Sequence, residues 1–92
     1  MAKFINYNPD DLKYLASVYS ESSKQIAELM KRVDDQNQKY LGQYSINSIC
    51  LILDDWEKIR TQLDRSKNNL DEITAKLIQT NEEWERVSNS LS

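Results

Sequence analysis

Histidine is absent from this chain. With it go the usual general base, the usual activator of a serine or cysteine nucleophile, and the commonest metal ligand. Cys50 is the single cysteine, so no internal disulfide can form and the fold must arise without covalent staples. A lone thiol also suits a reducing compartment, and without a neighbouring histidine Cys50 reads as a partly buried, inert side chain. No apolar run approaches the ~18 residues of a membrane span. Met1 to Pro9 lacks a basic segment followed by an apolar core, so no cleavable signal peptide is expected. The 12 Lys and Arg are interspersed among 15 Asp and Glu, giving a net charge of -3. Nucleic acids and anionic membranes, which are bound by clustered cations, are therefore not expected partners. No glycine-rich phosphate loop, EF-hand or zinc spacing occurs. The acidic groups Asp54-Asp55-Glu57, Asp71-Glu72 and Glu82-Glu83-Glu85 fall on outer helical faces and read as solvated surface, not as paired carboxylates in a cleft. We expect no catalytic, cofactor-binding or metal-binding residue, and no enzyme.

One glycine, one proline and 29% charged residues describe a helical chain. From Ile49 to Leu91 an apolar or small residue recurs at alternating steps of three and four: Ile49, Ile52, Trp56, Ile59, Leu63, Ser66, Leu70, Ile73, Leu77, Thr80, Trp84, Val87, Leu91. That is the pattern of a long helix with one buried seam. An equivalent series runs through Leu12, Leu15, Tyr19, Ser22, Ile26, Leu29, Val33, Gln36 and Tyr40. Asn8-Pro9-Asp10-Asp11 is a helix start: Asn8 can cap, Pro9 suits the first helical position, and the two acids face the positive end of the macrodipole. Leu41-Gly42-Gln43-Tyr44-Ser45 is the one break. Gly42 can adopt the left-handed conformation that ends a helix, and Ser45 or Ser48 can cap the next. The expected elements are a first helix over about 9–39, a turn over about 40–45 and a second helix over about 46–87, in a single domain. The outer faces carry Glu28–Arg32, Asp54–Lys58, Glu72–Lys76 and Glu82–Arg86 as i,i+4 pairs.

A short connection between two such helices predicts an antiparallel hairpin. If Tyr40 lies opposite Ile49, Leu12 falls opposite Leu77, and the second helix overhangs the first by about 20 Å at ~1.5 Å per residue. The seam residues Thr80, Trp84, Val87 and Leu91 then lack a partner in the first helix. Phe4, Ile5 and Tyr7 in the lead-in could cover that overhang, or it could fray or meet another protein.

A two-helix hairpin buries one stripe, rarely enough for more than ~3–5 kcal/mol in a small domain. Further apolar residues sit outside the two seams. Tyr14 and Val18 are expected at the same end of the hairpin as Ala75 and Ile78, with Leu51, Leu53 and Tyr44 near the turn and Met30 between them. Together with Trp84 these form candidate partner-contact positions, and a second hairpin over them would complete a four-helix bundle. The competing reading is scattered surface apolars, which are common.

The lead-in and turn Phe4-Ile5-Asn6-Tyr7-Asn8-Pro9-Asp10-Asp11-Leu12, the segment Leu15-Ala16-Ser17-Val18-Tyr19-Ser20-Glu21-Ser22-Ser23, and the turn Tyr40-Leu41-Gly42 together resemble the small W-x-G hairpin proteins of type VII secretion, of the early secreted antigen type. The turn keeps the glycine and an aromatic, Tyr40 and Gly42, but not the tryptophan. Members that carry the export signal have an aromatic-x-x-x-acid motif after the second helix; here Trp84 is followed four residues later by Ser88. The resemblance therefore implies a divergent accessory protein, working through a partner that carries the signal. That partner would be another W-x-G-like hairpin or the helical N-terminal domain of an LXG-type toxin, and the role that of a targeting factor or chaperone. It implies residence in the bacterial cytoplasm, with export alongside the partner. The alternative is a self-associating coiled-coil module, a homodimer with no secretion role.

Overall fold

The computed structural model describes residues 8–91, with the side chains of residues 8–90. The expectation that Phe4, Ile5 and Tyr7 lie along the second helix falls outside the described residues, as does the side chain of Leu91. Two long helices pack against each other as an all-α antiparallel hairpin: α1, Pro9–Leu41, and α2, Asn47–Leu91. Among the described residues there is no strand.

α1 starts as its residues dictate. Asn8 is extended (φ -127, ψ 112), and its side-chain oxygen accepts from the Asp10 N–H at 2.9 Å. Pro9 fills the first position, Asp10 and Asp11 lie in the first turn, and Lys39 lies in the last turn, where the macrodipole favours a cation. The end of α1 corrects the expectation for Gly42. Its backbone is right-handed, φ -63 and ψ -20, and its N–H donates to the Gln38 carbonyl at 3.2 Å. Glycine is still required there, for a different reason: a Cβ would lie 2.6 Å from that same carbonyl oxygen. α2 opens without either serine at the cap. The Ile46 carbonyl accepts from Ile49 and Cys50, which puts a hydrocarbon side chain where a capping oxygen would serve.

Cross-helix contacts set the register. Ser23 meets Asp71, and eleven residues further along α1 Asp34 meets Arg60, eleven residues earlier in α2. Leu12 then lies opposite about Glu82, some five residues beyond the Leu77 expected. The linker causes the shift: it climbs along the axis before α2 begins, instead of folding straight back. α2 therefore outruns α1 by about six residues, ~9 Å, and not by 20 Å. Thr80 and Trp84 do have α1 beside them, and Pro9 shares a groove with Trp84, Glu85 and Ser88.

The hairpin is open. Its radius of gyration is 20.4 Å, against ~12 Å for a compact chain of this length. Its accessible surface is 7441 Å², against about 5,500 Å² for a globular protein of 10.8 kDa. Ala16 and Met30 are the buried apolar side chains among the described residues. Two helices alone leave Leu15, Leu29, Ile52, Ile59 and Ile73 each more than one-third exposed.

Candidate interaction surface

In each helix one of the two expected seam columns is replaced by the column one residue further along the chain. In α1 the inward positions are Leu12, Ala16, Tyr19, Ser23, Ile26, Met30, Val33 and Asn37. In α2 they are Ile49, Leu53, Trp56, Arg60, Leu63, Lys67, Leu70, Thr74, Leu77, Asn81 and Trp84. One column of each expected seam is inside. The other, running through Leu15 and Leu29 in α1 and through Ile52, Ile59, Ile73 and Val87 in α2, is outside and exposed. Ile52 is 54% exposed and Ile59 50%, while Met30 is 6%. Met30, expected at a partner surface, is instead consumed within the hairpin. Leu53 likewise belongs to the inward stripe and is half-buried.

The exposed columns share one side of the hairpin. Each lies one residue before an inward position, a rotation of about 100° in the same sense along each chain. Antiparallel helices are related by a local twofold normal to the plane of their axes, so equal rotations reach the same side of that plane. The opposite side supplies the check. Residues one step after an inward position, Lys13, Asp34, Asp71 and Glu85, carry the ties between the helices. Ser23 Oγ donates to Asp71 Oδ1 at 2.5 Å, and Lys13 pairs with Glu85 at 3.6 Å. Trp56 Nε1–H and Arg60 Nε–H donate to the two oxygens of Asp34, each at 2.8 Å. These ties can close only if both sets of residues lie on one common side.

The hairpin thus has a polar back, laced by ion pairs and hydrogen bonds, and a front whose two columns are Leu15, Ser22, Leu29, Gln36 and Ile52, Ile59, Ser66, Ile73, Thr80, Val87. No charged residue stands in either front column. The electrostatics of the back follow from its contacts. The Trp56 N–H, and then the Arg60 guanidinium, hold the Asp34 carboxyl below the usual carboxylate range. The Ser23 hydroxyl, and then Lys67, do the same for Asp71. Asp34 also raises Arg60. The Asp34 staple was not legible in the sequence. Its one signal is Trp56 at an inward position, where an indole N–H needs an acceptor.

The remaining sequence-derived positions do not form one patch. Tyr14 and Leu51 are exposed on the sides turned away from the sister helix. Val18 flanks the front beside Leu15. Ala75 and Ile78 lie toward the back, where Ile78 lines a shallow groove of about 260 Å³ with Leu12, Ala16, Leu77 and Asn81. Tyr14 and Val18 thus share an end of the hairpin with Ala75 and Ile78, as expected, but lie on different sides of it. Trp84 is half-buried. Tyr40 is exposed, with Lys39 Nζ 5.1 Å from its ring centre, and Gly42 ends α1. Cys50 is exposed, not partly buried. Of the intrahelical pairs, Lys31–Asp35 and Lys67–Asp71 close among the described residues, while the four expected acid-before-base pairs do not. No helix among the described residues is long and apolar enough to cross a membrane, and no group of three or more candidate metal ligands occurs among them.

Comparison with protein-family models, with curated proteins and with solved structures finds no match to this chain.

Proposed function

We propose that this chain is a non-enzymatic helical adaptor whose uncharged front docks a second helical hairpin, completing a four-helix bundle. The observation that carries this reading is the isoleucine column of α2. Ile52, Ile59 and Ile73 recur at heptad spacing, stay exposed while Arg60 and Lys67 face the sister helix, and have no charge among them. A solvated helix face would carry its charge there; a docking face would not. Among helical partners, the resemblance of the lead-in and the turn favours a W-x-G-like hairpin or the helical domain of an LXG-type toxin. The chain would then act as a targeting partner or chaperone for type VII secretion, resident in the bacterial cytoplasm until it leaves with its partner.

The test is capture from the native cell with two baits, the natural chain and an Ile59→Glu/Ile73→Glu variant, followed by mass spectrometry. The expected result is a helical protein, encoded with a secretion apparatus, held by the first bait and lost with the second. Adding that purified protein should raise the melting temperature, by linkage worth ~2.7 kcal/mol at a hundredfold excess over Kd. Equal capture by both baits would overturn the assignment of the front. A captured partner unrelated to secretion would overturn the type VII reading and leave the docking face standing.

A further inference from the structure

The polar back is interrupted near its open end. Along the back of α2, Glu57, Asp64, Asp71, Ile78 and Glu85 follow one another at heptad spacing. Ile78 stands where the others are acids, and it is 49% exposed. It walls the groove of about 260 Å³, whose floor is Leu12, Ala16 and Leu77. Ala16 keeps that floor low, because its methyl leaves open the volume a longer side chain would fill. The space exceeds the ~150 Å³ that holds a benzene ring in a dry cavity, so one side chain the size of Phe or Leu fits. The apolar floor is only about one turn long. Toward the linker it gives way to Ser20 and Asp71, and toward the open end to the Lys13–Glu85 pair. A docked helix needs anchors over two or three turns, so the groove suits a single anchor.

The rim selects charge. Lys13 is the one cation among the lining residues, and it is committed to Glu85 at 3.6 Å. Asn81 also donates to Glu85, at 3.2 Å. Glu82 lines the same groove one turn beyond Ile78, and it makes no ion pair among the described residues. An apolar slot thus ends beside an uncompensated carboxylate.

We infer that this groove is a second docking site, which takes a short extended segment of another protein carrying one large apolar residue and a Lys or Arg two positions from it. The large residue fills the slot beside Ile78, and the cation meets Glu82. Residues two apart on an extended segment share a face about 6.6 Å apart, close to the ~6 Å rise from Ile78 to Glu82. The segment's backbone stays hydrated, because the middle of a helix offers it no free N–H or carbonyl. So small a contact gives weak, rapidly exchanging binding. The site does not rest on the docking reading of the front. The two lie on opposite sides of the hairpin, so one chain can hold a helical partner on the front and a basic segment on the back at once.

The experiment titrates the full, isotope-labelled chain with the blocked peptide acetyl-Gly-Phe-Gly-Lys-Gly-amide and follows amide signals by NMR. The expected result is saturable shifts at Ala16, Ile78 and Glu82, with Leu29 and Ile59 unmoved. A peptide with Ala in place of Phe should not bind. Glu82 is exposed, so Glu82→Lys should keep full helicity and weaken binding roughly 5–10-fold. A peptide with Glu in place of Lys should recover that loss on the Glu82→Lys chain. Ile59→Glu, on the front, should leave peptide binding unchanged. No saturation within about 5 mM peptide overturns the site, and shifts centred on the front overturn its placement. Equal affinity for the natural and Glu82→Lys chains overturns the required cation. Binding that appears only in a Phe4→Asp chain gives the groove to the chain's own lead-in and overturns an outside partner.

Discussion

Leu29 and Met30 are neighbours in sequence, and the structure assigns them opposite fates. Met30 is 6% exposed between the helices, whereas Leu29 is 42% exposed on the front. Truncating each to alanine should therefore have unequal costs in the free hairpin. Met→Ala at a buried site costs ~2–5 kcal/mol, and the low end applies here because so open a structure can relax around the gap. A loss of ~2 kcal/mol moves the melting temperature of a domain this size by roughly 8–16 °C. Leu29→Ala removes a side chain that is still half in water, at a cost of ~1 kcal/mol or less. Alanine is also the better helix former, which trims that cost further. Urea unfolding followed by far-ultraviolet circular dichroism measures both, at a concentration low enough to keep the hairpin monomeric. Adding a helical partner that the front captures should enlarge the Leu29 penalty and leave that of Met30 nearly unchanged, because only Leu29 is exposed on the front. A dilute Leu29→Ala chain destabilised as much as Met30→Ala would refute the rotated stripe, and with it the separation of front from back.

Three further outcomes follow from the polar back and the turn. Asp34 and Asp71 are both held below the usual carboxylate range, so the stability they contribute is complete above about pH 4 and is lost as pH falls through their folded values. Asp34→Asn should cost ~1 kcal/mol at pH 7, being a partly solvated charge-assisted bond, and should flatten the acid limb of a stability–pH curve; an unchanged limb would count against the staple. Gly42→Ala places a methyl carbon 2.6 Å from the Gln38 carbonyl oxygen, so the turn must shift, lowering stability by ~1 kcal/mol in thermal unfolding. Ile46→Asp supplies the missing cap of α2 and should raise stability by ~1 kcal/mol.

The start of α1 and half of each buried stripe were legible because their signals are local. Asn8-Pro9 marks a start whatever lies nearby, and Leu12, Tyr19 and Ile26, like Trp56, Leu63 and Leu70, recur at seven-residue spacing on any helix. The other half of each stripe differs from its spacing. Leu15 and Ala16 both fit a spacing of three or four from Leu12 and Tyr19, so period alone does not choose between them. Periodicity reports that an aliphatic column is to be buried, without reporting what buries it. Spacing alone assigns Ile52, Ile59 and Ile73 to the sister helix, yet α1 does not cover them. The register failed for another reason. It depends on how far a five-residue linker climbs, which is backbone geometry with no hydrophobic signature. With the register displaced by about five residues, the meeting of Asp34 with Arg60 could not be foreseen.

The spacing of the polar ties along the hairpin also orders its assembly. The Trp56–Asp34 contact closes a loop of 22 residues and the Ser23–Asp71 contact one of 48. Closing the longer loop first would cost ~0.7 kcal/mol more in chain entropy, so the staple nearest the turn is the favoured nucleus. Once it holds, each later contact is made between segments already side by side, and the helices zip toward the end that carries Pro9 and Trp84. Unzipping runs in reverse. Hydrogen exchange should therefore find amide protons near Trp84 exchanging first and those around Trp56 last, and an incoming helix would meet the hairpin at its loosest end.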